Sequence, residues 1–189
     1  MTNPSAPPGE FDLISRYFAP LSRSLIGAAN LTDDTASLPI GAGHEVVVTM
    51  DTMVAGVHFL ADDPPDLIAR KLLRVNLSDL AAMGARPVAY TLNIALPRDV
   101  DDVWLKEFCA GLRADQDAFG VHLMGGDSVA ANGPVVLTVT AFGEVPAGKA
   151  LRRNGAAPGD RIFVSGTIGD AALGLRVVQG KLAGLEAAA

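Results

Sequence analysis

The run HEVVVTMDTM, residues 44–53, limits most strongly what this chain can fold into. It is too apolar to alternate, so it reads as a strand buried on both faces, and such a strand needs a layer on either side. The following residues supply those layers. A helix capped by Asp66 runs to about Met83 and stops at Gly84, with Arg86-Pro87 beyond it. VAYTLNIAL (88–96) is strand-like and closes at Pro97. A second amphipathic helix, over about residues 101–119, carries Val103, Leu105, Phe108 and Leu112 and ends at Gly120. VHLM (121–124) and PVVLTVTAFGEV (134–145) read as strands. The order β-α-β-α-β-β defines an α/β domain with mixed strand directions.

The flanks read differently. The first ten residues, rich in Pro, Ser and Gly, are expected to be a mobile tail. FDLISRYF places Phe11, Ile14 and Phe18 on one helical face, and Pro20 is expected to end that turn. After a Gly-, Pro- and Ala-rich linker (146–160), RIFVSGTIGDAALGLRVVQ reads as a strand, a glycine turn and a helix, the opening of a second α/β domain. GKLAGLEAAA can extend that helix, but about thirty residues are too few for an independent core.

Composition excludes several classes. A formal charge of −6 does not suit a phosphate-backbone binder, and an acidic chain that handles phosphates needs metal ions. One cysteine, Cys109, permits no internal disulfide. No signal-peptide pattern or membrane-length apolar run is present, so the chain reads as cytoplasmic, without nucleic-acid or membrane partners.

The candidate chemistry lies in carboxylates at element ends. Asp33-Asp34 precedes the first strand, Asp51 closes its apolar run, Asp79 sits in NLSDLAAMG, and Asp127 follows two glycines in LMGGDS. A desolvated carboxylate needs a cation or several backbone donors. Helix N-capping is the alternative for Asp127 alone; for the four together, metal binding is favoured. Carboxylates, helped by the Thr49 hydroxyl or nearby carbonyls, are hard oxygen donors that suit Mg²⁺, Ca²⁺ or Mn²⁺ and not zinc. The calcium-hand spacing is absent, which leaves magnesium and a nucleotide phosphate. The glycines beside Asp127 would admit backbone N–H groups to phosphate oxygens. GEVPAGKA (143–150) imitates a phosphate loop but ends in Ala150, with no helix able to open behind it. His44, His58 and His122 are widely spaced; His58, seven residues after Asp51, is placed to face whatever the metal holds.

GEFDLISRYF, the Asp33-Asp34 pair, MDTMVAGVHF, VNLSDLAAMGARP, LMGGDS and ALRRNGAAPGDRIFVSGTIGDAALGL together resemble thiamine-monophosphate kinases, within the superfamily around aminoimidazole ribonucleotide synthetase. The resemblance implies Mg²⁺-dependent transfer of the ATP γ-phosphoryl to thiamine monophosphate. It implies Asp34, Thr49, Asp51, Asp79 and Asp127 as metal ligands, Gly126, Asp127 and Arg153 at ATP, and His58 at the thiamine substrate. It also implies a homodimer built by pairing N-terminal sheets. On this reading residues 1–10 are a tail, 11–148 an N-terminal ATP/Mg-binding domain, and 149–189 a linker and an incomplete second domain. No general base is assigned, because the acceptor phosphate is already ionised and in-line transfer needs none. The sequence departs from the family pattern at NLTDDTA, where glycines are usual; at Met50, where threonine is common; and at Ser128-Val129-Ala130-Ala131, which lacks the usual arginine. The second domain's Asp-x-Ser-Asp-Gly segment is absent. A non-catalytic magnesium-nucleotide-binding fragment and a related ATP-dependent ligase are the alternatives.

Overall fold

The computed structural model describes residues 10–182 and divides into two compact units, Met1–Arg152 and Arg153–Ala189. The expected tail, Glu10 apart, and the helix extension beyond residue 182 lie outside the described residues.

The first unit is a four-stranded sheet with two long helices on one face and a short 3-10 segment (Ile26–Leu31) packed on Ala89 and Met124 of the other. Its strands are β1 (His44–Val54), β2 (Arg86–Leu96), β3 (His122–Ala130) and β4 (Val136–Pro146), in spatial order β1-β4-β2-β3. β4 runs antiparallel to both β1 and β2, while β2 and β3 are parallel. It therefore lies between two strands that point the same way, and both helical connections are crossovers, as β-α-β order requires. This is the expected α/β arrangement.

α3 (Pro65–Ala82) and α4 (Asp102–Phe119) cover one face. Their inward residues Ile68, Leu72, Leu73, Leu80, Phe108 and Leu112 are at most 2 % exposed and meet Tyr90, Leu137 and Val139 of the sheet. Each such apolar side chain contributes about 1.5–3 kcal/mol on burial. Asp101 caps α4 by accepting the Trp104 N–H, and Gly120 ends it at φ 64°, a backbone angle that favours glycine. α4 approaches the start of α3 closely at Gly111, where a Cβ would stand 2.2 Å from the Asp66 carbonyl oxygen. Burial pushes the Cys109 thiol up to about 12, so it packs as a protonated core group.

Several local expectations are corrected. β1 is an edge strand, and its burial alternates because helices cover only one side: Val46, Val48 and Met50 are 45, 54 and 64 % exposed. It is not buried on both faces. The helix after it begins one residue before Asp66: Pro65 occupies the first turn, where its missing N–H costs nothing, and Asp66 caps no N–H there. Pro20 does not stop the N-terminal helix. α1 (Glu10–Leu13) passes through a π-turn (Ile14–Phe18) into α2 (Ala19–Ser22), and the widened turn places Pro20 at the start of a new helical segment. Gln116 Nε2 ties this region to the sheet, donating to the Leu21 carbonyl at 3.0 Å and the Tyr90 hydroxyl at 3.2 Å.

The second unit contains a 3-10 turn (Arg153–Gly155) and α5 (Asp170–Val178). The strand expected at 161–164 does not form. Ile162, Phe163 and Val164 are 94, 85 and 60 % exposed, and no strand among the described residues pairs with their backbone groups.

Candidate functional site

β3 is longer than its sequence suggests. It runs through both glycines of LMGGDS, so Asp127 is a strand residue opposite Asn93 of β2. With no helix following, the N-cap alternative falls away; Asp127 Oδ1 instead accepts the Ser128 N–H at 2.8 Å. The strand can pass here because Gly126 has no side chain: a Cβ would lie 1.8 Å from the Leu92 carbonyl oxygen. The glycine therefore serves strand pairing as well as access to the site.

Against this segment lies a cavity of about 520 Å³, within the range of small-ligand pockets. Phe11, Ile14 and Phe18 form an apolar wall, the Leu31–Ala36 loop a second, and Gly125 to Ser128 the floor with Thr91 and Leu92. Asp33, Asp34 and Asp127 all line it. The loop is held by three successive left-handed residues, Ala29, Asn30 and Leu31, at φ 47, 54 and 58°. Such a run costs about 1–2 kcal/mol per residue and persists where packing imposes it, as the buried Ala28 and the core-packed Leu31 do here. The apolar wall was visible in the sequence only as a packing stripe.

The other expected ligands lie elsewhere. Asp51 is the eighth residue of an eleven-residue strand, not its end, and shares with Thr49 the face turned toward α3. Thr49 Oγ1 donates to Asp79 Oδ2 at 2.8 Å, which draws the α3 carboxylate to the same place. Pairing runs Asp51, Val139, Leu92, Gly126 straight across the sheet, so this group and the cavity stand at one level on opposite edges. Three strand spacings separate them, about 14 Å. No single ion spans that distance. Among the described residues, no three His, Cys, Asp or Glu side chains gather into a metal cage. Magnesium, however, commonly binds through one or two carboxylates, substrate phosphates and water, and the carboxylates that line this cavity are donors of that kind.

His58 lies in the exposed loop after β1, where its Nδ1 accepts the Val54 N–H at 3.1 Å, leaving Nε2 to carry the neutral ring's proton. Lys71 of α3 donates to the His58 carbonyl. Nothing in the sequence pattern singled out that lysine. Arg153 opens the 3-10 turn of the second unit and is exposed. The GEVPAGKA decoy is the end of β4 and a turn in which Gly148 N–H donates to Glu45, with no helix behind it.

An α/β domain of this strand order, with a glycine-bearing edge strand and carboxylates around a ligand-sized cavity, matches the family model "AIR synthase related protein, N-terminal domain" over residues 32–145, and the chain belongs to that family. Proteins similar to this chain include thiamine-monophosphate kinases. That of Caulobacter vibrioides is 48 % identical over 178 residues, covering 94 % of this chain and 51 % of the relative. The crystal structure of the enzyme from Stenotrophomonas maltophilia is 47 % identical with a TM-score of 0.74, over 80 % of this chain and 47 % of that one. AaThiL complexed with AMPPCP and TMP is 28 % identical with a TM-score of 0.70, over 94 % of this chain and 55 % of that one. The chain spans about half the length of the curated relatives it matches. None of the described helices is long and apolar enough to cross a membrane.

Proposed function

We propose that this chain is the phosphate-handling part of a cytoplasmic, ATP- and Mg²⁺-dependent kinase that converts thiamine monophosphate to thiamine diphosphate by in-line phosphoryl transfer. The observation that carries the reading is the cavity at the β3 edge, where Asp34, Asp127 and the Gly125-Gly126 backbone meet an apolar wall. A nucleotide needs both kinds of surface. In this reading Phe11 and Phe18 receive the base, Gly126 lets the chain approach the phosphates without a Cβ, and Asp34 and Asp127 hold magnesium against them. Magnesium, when bound, neutralises charge on the phosphates and on the transferring group. Thr49, Asp51 and Asp79 form a second oxygen cluster on the α3 side of β1, beside the loop that carries His58, to which we assign the acceptor. The kinase relatives, at 48 % identity, favour this reaction over that of a ligase.

The test is transfer of labelled phosphate from γ-labelled ATP to thiamine monophosphate. Turnover by this chain supports the kinase reading. Nucleotide binding without turnover supports a binding fragment instead. Asp127→Asn is expected to weaken magnesium-dependent nucleotide binding about tenfold or more, roughly 1.4 kcal/mol, by titration calorimetry. Unchanged binding removes the cavity from the site. In Asp51→Asn the same measurement separates two arrangements. Loss in both variants joins the two groups in one metal-bound phosphate site, and loss in Asp127→Asn alone confines the nucleotide to the cavity.

The open face of β1 supports the proposed homodimer. Val46, Val48 and Met50 form an apolar strip on an edge strand, the kind of surface that pairs with another sheet. Val48→Glu is expected to shift sedimentation from dimer to monomer, and a wild-type monomer at micromolar concentration would end that proposal.

A further inference from the structure

The contacts along the seam between β1 and α3 give their relative direction. Thr49 meets Asp79, while His58, beyond the end of β1, meets Lys71. The helix therefore runs antiparallel to the strand, and the two contacts lie eight residues apart, about 12 Å along its axis. Carboxylates occupy one end of the seam and an ammonium the other. The loop between β1 and α3 is fixed at its base by the Ala55–Phe59 bridge, by the Gly56 N–H to Phe59 carbonyl bond at 2.8 Å, and by Phe59, which is 6 % exposed. Gly56 turns the chain at φ 79°. His58 sits on the outside of that turn. Its backbone N–H and imidazole Nδ1 return to Val54, and its carbonyl is held by Lys71. Among the described residues Lys71 has no carboxylate within ion-pair distance, so the carbonyl is the recorded partner of its ammonium.

We propose that Lys71 is a positioning residue for acceptor recognition: by gripping the His58 carbonyl from α3, it holds the imidazole with Nδ1 on the Val54 N–H and Nε2–H turned outward as a donor to the acceptor substrate. This rests on the reading above, in which His58 meets thiamine monophosphate. A lysine at this position reaches the loop with a flexible stem, and arginine keeps a donor within the same reach, whereas methionine keeps the stem and removes the donor.

The test measures binding of thiamine monophosphate and of magnesium-ATP by calorimetry, together with amide exchange, in Lys71→Met and Lys71→Arg. In Lys71→Met, thiamine monophosphate binding is expected to weaken about fivefold or more while nucleotide binding stays within about twofold. Exchange of the Val54 amide is expected to quicken about tenfold while that of Val139 is unchanged. Lys71→Arg is expected to restore both. Equal weakening toward both ligands, or no change in Val54 exchange, overturns the proposal. If the wild-type chain binds no thiamine monophosphate, the functional reading fails instead, and Val54 exchange alone decides whether Lys71 holds the loop.

Discussion

Asp115→Ala is expected to lower the unfolding free energy by about 3 kcal/mol, the lower end of what breaking a buried ion pair costs. Asp115 is 1 % exposed inside α4 and takes two hydrogen bonds from Arg74 of α3, at 2.7 and 2.8 Å, with Arg70 Nε at 3.3 Å. Removing the carboxylate leaves two guanidinium groups on α3 without their partner. Both arginine side chains are 37–47 % exposed and can turn to water, which is why the upper end of the range is not reached. Urea unfolding measures the effect, and a loss below about 1 kcal/mol would show that apolar packing alone joins the two helices. Because α3 carries both Asp79 and Lys71, this clamp also steadies the seam along β1.

Gly126→Ala is expected to destabilise the domain by more than about 2 kcal/mol, since the added methyl would stand 1.8 Å from a backbone oxygen that cannot move without parting β2 from β3. The backbone at φ 151° adds its own preference for glycine. The neighbouring glycine supplies the control. A Cβ at Gly125 meets nothing nearer than Thr91 Cγ2 at 4.0 Å, so Gly125→Ala should stay within about 0.5 kcal/mol of the parent. Thermal unfolding of the pair distinguishes a packing requirement at one position from a general intolerance of the glycine segment. Gly126→Ala should also reshape the floor of the cavity and abolish nucleotide binding, whereas Gly125→Ala should fold normally and report on phosphate access alone.

Much of the fold was legible because its signals are local. The second helix was bounded by its own apolar periodicity and by Gly120 as a stop, and the structure places it at Asp102–Phe119, with Asp101 as the cap. Pro97 closed β2 at Leu96. The misreadings involve neighbours. The apolarity of β1 looked like two-sided burial because a sequence does not distinguish a face covered by helices from a face left open at a sheet edge. The third strand read as ending at Met124, ahead of the glycines of LMGGDS, because glycine is the usual residue of turns. Here it is required by the Leu92 carbonyl, contributed by a strand more than thirty residues earlier.

By itself, the sequence determined the β-α-β-α-β-β order, the two long helices and the oxygen-rich character of the candidate ligands, since periodicity, glycine and proline stops and donor type are properties of residues and their near neighbours. Only the tertiary structure decided how those ligands are grouped. The strand order places β4 and β2 between β1 and β3, so Asp34 and Asp127 line one cavity while Thr49 bonds Asp79 at the opposite edge of the sheet, on the face that Asp51 shares. Strand order rests on pairings between residues far apart in the chain, Asp51 with Val139 and Leu92 with Gly126, and no single segment carries them.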